Sequence, residues 1–149
     1  MKAREIMTND HLWVCSPDTT IRQAAQMMSE HDIGSVPIVD AEGHLQGILT
    51  DRDICCRVVA KGRSFNTPAQ DIMSMPVHTI VADAELGEIE SVIQEYHVRR
   101  LPVVDERQRL CGVIAVADLA RHCRSLFREH GLAETLEAVS STEPVMERV

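Results

Sequence analysis

Gly47-Ile48-Leu49-Thr50-Asp51-Arg52-Asp53 is the stretch around which the chain is organised. An apolar strand end leads into Thr50, Asp53 follows, and residues 54–59 then read as a helix. Such a strand-to-helix corner offers a hydroxyl, backbone N–H groups and a carboxylate, which are groups that bind phosphate and ribose. The pattern Thr-x-x-Asp is also typical of a helix cap, in which Thr50 only closes the helix end. Taken alone, these residues favour the cap.

The composition is that of a small protein with an aliphatic core. The chain has 149 residues, of which 44% are hydrophobic and 3% aromatic, and its formal net charge is −8. Because an acidic chain binds nucleic acid and anionic lipid poorly, we expect neither as a partner. The sequence has no apolar run of the roughly 18 residues that span a membrane, and its first five residues lack the apolar core that a signal peptide is expected to have. Five irregularly spaced cysteines favour a reducing, cytoplasmic setting with mostly buried thiols.

The chain contains two copies of one pattern at a constant offset of 65 residues. The recurring positions are Pro37 and Pro102, Gly47 and Gly112, and Asp53 and Asp118. Each copy reads as strand, helix, strand, strand, helix, and such a match at one offset is unlikely by chance. The sequence therefore predicts copies at 1–61 and 69–124, a linker at 62–68, and a helical C-terminal segment at 125–149.

Each copy resembles a CBS domain, and the tandem pair resembles a Bateman module. The resemblance rests on Glu5-Ile6-Met7 and Asp71-Ile72-Met73, on Val36–Asp40 and Leu101–Asp105, and on Gly47–Asp53 and Gly112–Asp118. It implies an α/β (α+β) fold in which two β-α-β-β-α repeats pack sheet to sheet with pseudo-twofold symmetry. It also implies clefts that bind an adenosine ligand such as AMP, ADP, ATP or NAD, and a homodimer of two modules.

The resemblance implies matching ligand contacts in both copies. Asp53 and Asp118 would accept hydrogen bonds from ribose, and Thr50 would donate to phosphate together with N–H groups of the following helix. Arg52 lies within the same corner and either helps to bind phosphate or is simply solvated. The backbone around two strand segments would flank the adenine; these segments are Val36-Pro37-Ile38 and Leu101-Pro102. Ala115 replaces the Thr50 hydroxyl in the second copy, and a hydrogen bond to a charged group is worth ~1.5–3 kcal/mol. We therefore expect the Thr50 cleft to be the better nucleotide site.

Two adjacent arginines, Arg99 and Arg100, precede the second proline strand. One of them could bind phosphate, and at most one faces the cleft because neighbours on a strand point to opposite faces. The alternative is a surface ion pair with Glu95 or Asp105. Asp118 has no hydroxyl cap three residues before it, so it is either a ligand contact or a favourable acid in the first helical turn.

The sequence shows no nucleophile beside a base and no regular spacing of metal ligands. We therefore expect no enzyme activity, no metal site and no required cofactor, although a metal site assembled across a dimer interface is an alternative. The expected function is a regulatory module that binds an adenine nucleotide and acts through a separate effector protein. The alternative function is a stress-related interaction protein of the same fold that binds no nucleotide.

Overall fold

The computed structural model describes residues 1–122, so the predicted C-terminal segment at 125–149 lies outside the described residues. Contacts divide the chain into two compact units. The copy-1 unit contains His11–Val77 and Asp105–Leu110. The copy-2 unit contains Met1–Asp10, His78–Val104 and the described residues from Cys111 onward. Both units mix helices with a small sheet, as the α+β expectation requires.

The copy-1 unit is built on a two-stranded antiparallel sheet. Its elements are α2 Ile21–His31, β1 Ser35–Val39, β2 Leu45–Thr50, α3 Asp51–Asp53, a π-helix Ile54–Val59 and a 3₁₀ turn Ala69–Asp71. The first strand expected in this copy is reduced to one parallel bridge between Cys15 and Ile38. Helix α2 begins after Thr20, which accepts a hydrogen bond from Gln23 N–H, and ends at Asp32 in left-handed conformation.

The copy-2 unit follows the predicted order of elements. These are α1 Ala3–Ile6, β3 Ile80–Val81, α4 Leu86–Tyr96, β4 Arg100–Val104, β5 Leu110–Ala115 and α5 Val116–His122. Strand β4 lies between β3 and β5, and β3 is parallel to it. Helix α4 ends at His97 in left-handed conformation, as α2 does at Asp32. The repeat is therefore preserved down to single backbone conformations.

The helix predicted over residues 54–59 is present, and its winding is unusual. After the short α3, the backbone forms a π-helix, in which Ala60 N–H donates to the Cys55 carbonyl five residues back. This winding buries Val58 and leaves Cys55 and Cys56 exposed. The prediction of mostly buried thiols is therefore wrong for these two cysteines.

The leading segment of each copy packs in the unit of the other copy. Ala3 and Ile6 are buried in the core of the copy-2 unit, whereas Ala69 and Ile72 are buried in the core of the copy-1 unit. Backbone pairing follows the same exchange, since Thr8 bridges Val113 and Ser74 bridges Ile48. The sequence repeats and the compact units therefore have different boundaries, and the boundaries predicted for the repeats stay a prediction.

Candidate functional site

The corner between β2 and α3 is closed by a reciprocal pair of hydrogen bonds. Thr50 N–H donates to Asp53 Oδ2 at 3.0 Å, and Asp53 N–H donates to Thr50 Oγ1 at 3.0 Å. The Asp53 residue is 9% exposed. The capping role of Thr50 is therefore confirmed, and any ligand role is additional to it.

The second carboxylate oxygen of Asp53 holds a neighbouring segment. Ser74 Oγ donates to Asp53 Oδ1 at 3.3 Å, and Arg57 Nη1 lies 3.6 Å from the same oxygen. Arg57 also donates to the Ile72 carbonyl at 2.7 Å. Sequence reasoning missed Ser74 and Arg57. The available signal was that a hydroxyl residue directly follows the Ile-Met motif in both copies, as Ser74 and Thr8.

The equivalent corner between β5 and α5 keeps half of this arrangement. Ala115 N–H donates to Asp118 Oδ2 at 2.8 Å, and Asp118 is 6% exposed. Since Ala115 has no hydroxyl, the reciprocal bond to the helix N–H is missing. One hydrogen bond between the two residues therefore remains here, whereas Thr50 and Asp53 form two.

The two corners differ in charge where the loop before the proline strand meets the helix. In the copy-1 unit, Asp51 N–H donates to the Gly34 carbonyl at 3.0 Å, and a Cβ on Gly34 would lie 3.1 Å from Asp51 Oδ2. In the copy-2 unit, Val116 N–H donates to the Arg99 carbonyl at 3.2 Å. The exposed Asp51 of the first corner is therefore replaced by Val116 in the second, and Gly34 is replaced by the exposed Arg99. The extra Asp51 charge opposes the advantage that the Thr50 hydroxyl gives to a phosphate.

The backbone N–H groups of α3 are already bound within the chain. Besides Asp51, Arg52 N–H donates to Asp51 Oδ1 at 2.7 Å and Asp53 N–H donates to Thr50. The Arg52 side chain is exposed. A phosphate at this corner would therefore depend on the Thr50 hydroxyl and the Arg52 side chain rather than on free N–H groups.

The remaining predicted contacts fall into two groups. The strand positions are buried; these are Val36, Pro37, Ile38, Leu101 and Pro102. Their side chains belong to the core, so only their backbone could flank a base. Arg99 and Arg100 are exposed, and the Asp105 carboxylate that was one expected partner is held by Arg109 at 2.7 Å.

A sequence model of the CBS domain matches residues 3–59 and 69–125. The chain belongs to the CBS domain family. It is a tandem CBS pair, because the two matches cover the two copies found in the sequence. The resemblance inferred from the motifs is thereby confirmed.

Two curated relatives are matched by this CBS pair over most of their own length. Hypoxic response protein 1 of Mycobacterium tuberculosis is 38% identical over 140 residues, which cover 93% of this chain and 94% of that protein. The CBS domain-containing protein YhcV of Bacillus subtilis is 39% identical over 105 residues, covering 70% of this chain and 74% of that protein.

Solved structures confirm the mixed α+β fold of a CBS pair. Hypoxic Response Protein I, solved with two coordinated zinc ions, has a TM-score of 0.75 and 39% identity, covering 82% of this chain and 98% of its own. The CBS domain pair of protein MJ0100, solved with 5′-methylthioadenosine and S-adenosyl-L-methionine, has a TM-score of 0.71 and 26% identity, with coverage of 82% and 98%.

Within residues 1–122 of this CBS pair, one group of three side chains has the spacing of metal ligands. Asp40, Glu42 and His44 have ligand atoms within 4.8 Å of one another. They form the β1–β2 turn, where Asp40 Oδ1 accepts from Glu42 N–H at 3.0 Å and from His44 N–H at 2.8 Å. The group is accounted for by this turn. No helix in this part of the chain is long and apolar enough to cross a membrane.

Proposed function

We propose that this tandem CBS pair is a regulatory module that binds an adenosine ligand and acts on a separate effector protein. The observation that carries the proposal is the pair of buried carboxylates, Asp53 at 9% and Asp118 at 6% exposure, at equivalent strand-to-helix corners. A carboxylate in this position can accept hydrogen bonds from both hydroxyls of a ribose. An adenosine is the nucleoside proposed, because the MJ0100 pair, 26% identical, was solved with two adenosyl ligands.

The oxygens of Asp53 are suited to two tasks at once. Oδ2 is fixed by Thr50 N–H at 3.0 Å, whereas Oδ1 has a longer contact of 3.3 Å with Ser74 and 3.6 Å with Arg57. Ribose hydroxyls can replace the longer contacts without opening the helix cap, since hydrogen bonds weaken with distance. Binding would therefore loosen the link from Asp53 to Ser74, which offers a route from ligand to conformation.

The ligand proposed is AMP, ADP, ATP or NAD, with phosphate contacts that differ between the corners. Thr50 and Arg52 would contact phosphate at the first corner, and Arg99 or Arg100 at the second. That nucleotide binds more tightly at the Thr50 corner stays a prediction, since the negative charge of Asp51 would repel a phosphate there. The proposal includes a homodimer, a cytoplasmic location and no catalytic step.

The test is calorimetry with AMP, ATP, NAD and S-adenosylmethionine on wild type, Asp53→Asn and Asp118→Asn. We expect at least one ligand to bind, and each substitution to weaken its own corner about 10- to 100-fold, the equivalent of ~1.5–3 kcal/mol. The asparagine variants keep an oxygen for the backbone cap, and thermal melts establish that they fold. No heat with any of the four ligands would reject the proposal.

A matched exchange tests which corner is preferred. Thr50→Ala gives the first corner the residue of the second, and Ala115→Thr does the reverse. If the hydroxyl decides, Thr50→Ala weakens nucleotide binding and Ala115→Thr strengthens it. Unchanged affinity in Thr50→Ala, with a loss in Arg99→Ala, would place the preferred phosphate site at the second corner.

The second candidate function is a stress-related interaction protein that keeps the fold and binds no nucleotide. It is favoured by the 38% identity, over 93% of this chain, with a protein named Hypoxic response protein 1. The same calorimetry separates the two candidates, because only the first predicts heat that depends on Asp53 or Asp118.

A further inference from the structure

Asp51 places a carboxylate beside the loop that precedes the first proline strand. Its backbone N–H donates to the Gly34 carbonyl at 3.0 Å, and its side chain lies over Gly34, where a Cβ would be 3.1 Å from Asp51 Oδ2. Asp51 is exposed, and within residues 1–122 its carboxylate forms no ion pair. The first corner therefore carries a negative charge that is held against the loop and open to solvent.

The same carboxylate engages a backbone donor of the corner. Arg52 N–H donates to Asp51 Oδ1 at 2.7 Å, so this N–H is not available to a phosphate. The Arg52 side chain is exposed, and no ion pair in the described part of the chain holds it in place. A charge that is already in position acts on a ligand at a lower entropic cost than one that must first be ordered. Asp51 therefore offsets the cation that follows it and opposes an anionic ligand.

The second corner has the same backbone contact with the opposite charge. Val116 N–H donates to the Arg99 carbonyl at 3.2 Å, and Val116 stands 65 residues after Asp51. Val116 and the next residue, Ala117, are uncharged. Arg99 is exposed and forms no ion pair among residues 1–122. A cation on the loop of the second corner thus corresponds to the anion that lies over the loop of the first.

Both charges lie near the carboxylates that are proposed to bind ribose. Asp51 precedes Asp53 by two residues, and Arg99 is bonded to Val116, which precedes Asp118 by two. A ribose held by its 2′ and 3′ hydroxyls has its 5′ carbon at the other end of the ring. Charges within the Debye length of about 8 Å act on a 5′ substituent without direct contact.

We propose that Asp51 and Arg99 determine the charge of the ligand that each corner binds. Asp51 makes the first corner selective for an adenosyl compound whose 5′ substituent is neutral or cationic, such as a thioether or a sulfonium. Arg99 makes the second corner selective for an adenosyl compound with a 5′ phosphate. The inference rests on the proposed function, and it assigns AMP to the second corner although the Thr50 hydroxyl lies in the first.

Three nucleosides that differ in the 5′ substituent test the inference on the full chain. They are adenosine, 5′-amino-5′-deoxyadenosine and AMP, whose 5′ substituents at pH 7 are neutral, cationic and anionic. Calorimetry on Asp118→Asn measures the first corner, and calorimetry on Asp53→Asn measures the second. We expect the first corner to bind the amine most tightly, and AMP at least about tenfold more weakly than adenosine, because like charges placed together oppose binding. The second corner should bind AMP most tightly.

Removing each charge should remove the selectivity. Asp51→Asn, added to the Asp118→Asn chain, keeps the size of the side chain and removes its charge. AMP should then bind about tenfold more tightly and the amine about tenfold more weakly, whereas adenosine should change less than about threefold. Arg99→Gln, added to the Asp53→Asn chain, should weaken AMP about tenfold and leave adenosine within the same limit.

A matched exchange moves the residues of the second corner into the first. Asp51→Val with Gly34→Arg, in the Asp118→Asn chain, should change the preference from the amine to AMP. Asp18→Asn is the control, because Asp18 is exposed and precedes α2, whereas Gly34 follows the other end of this helix. This control should leave all three affinities unchanged, and thermal melts establish that each variant is folded at the temperature of the titration.

The outcomes separate charge selection from the proposed function. Absence of heat from wild type with all three probes would reject adenosyl binding itself, and charge selection with it. AMP bound more tightly than adenosine at the first corner would reject charge selection alone, and so would equal effects of Asp51→Asn on the three probes. A preference that does not shrink between about 50 and 500 mM NaCl would also reject it, because salt screens exposed charges.

Discussion

Met73 fills the space that a side chain on Gly47 would occupy. A Cβ built on Gly47 would lie 2.8 Å from Met73 Cγ and would overlap its sulfur. The same relationship holds between Gly112 and Met7, also at 2.8 Å from Cγ. The glycine and methionine that mark each copy are therefore two sides of one contact, formed between a β-strand and the leading segment of the other copy.

We expect Gly47→Ala to destabilise the protein by about 1–3 kcal/mol, because overpacking a close contact forces side chains from their preferred rotamers. Urea unfolding at constant pH measures the change. Shortening the Met73 side chain should relieve the clash. The double variant Gly47→Ala with Met73→Ala should therefore lose less unfolding free energy than the sum of the losses in the two single variants.

Gly87→Ala is the matched control for this substitution. Gly87 lies in α4, where a Cβ would meet nothing within 4 Å. Because alanine is the better helix former, this variant should be about 0.5–1 kcal/mol more stable than wild type. Equal stability of Gly47→Ala and wild type would show that Met73 moves aside freely.

We expect Ser74→Ala to destabilise the protein by about 0.5–1.5 kcal/mol, because it removes the donor to Asp53 Oδ1. Thermal and urea unfolding measure the change. Ser91→Ala is the control, since Ser91 is exposed and its hydroxyl donates only to the Gly87 carbonyl one turn earlier. A loss of equal size in both variants would mean that the Asp53 contact adds nothing.

We expect the protein to lose stability in acid, because an aspartate lies in the turn of each hairpin, Asp40 in the first and Asp105 in the second. Backbone N–H donation, from His44 to Asp40 and from Arg109 to Asp105, lowers the pKa of both carboxyls below the ordinary value of an aspartate. A depressed folded-state pKa stabilises the protein above the ordinary value, and this contribution is lost as pH falls through the folded-state pKa. Asp40→Asn and Asp105→Asn should therefore lower the melting temperature at pH 7 more than at pH 3.

Asp18→Asn controls for the change of net charge, because Asp18 is exposed and lies outside both turns. Melting curves from pH 7 to pH 2.5 should give parallel profiles for Asp18→Asn and wild type. If the turn variants also ran parallel to wild type, the turn hydrogen bonds would not contribute to the acid transition.

The described cysteines should differ in reactivity. Cys15 is 4% exposed, and burial raises the pKa of its thiol more than the Thr19 hydrogen bond lowers it. Since the thiolate is the reactive form, native Cys15 should resist alkylation at pH 8, whereas exposed Cys55 and Cys56 should be alkylated first. Peptide mass spectrometry after timed alkylation checks the order, and urea should release Cys15. Equal native rates would contradict the burial of Cys15.

Local patterns in the sequence predicted much of the fold correctly. Helices α2 and α4 follow from apolar spacing, and the Thr50 cap follows from a hydroxyl three residues before Asp53. The two strands that contain Pro37 and Pro102 follow from the sequence repeat, because both prolines occupy the same position in their copies. The helix predicted over residues 54–59 is present, but apolar spacing alone does not distinguish an α-helix from the π-helix that forms there and exposes Cys55.

The sequence by itself determined the two copies, their element order and the aspartates at both corners, because these depend on neighbours a few positions apart. The tertiary structure alone decided which residues meet those corners. Ser74 reaches Asp53 from 21 positions away, and Met7 fits against Gly112 from 105 positions away. These contacts form because the leading segment of each copy packs in the unit of the other copy. The periodicity of the sequence does not indicate such long-range packing.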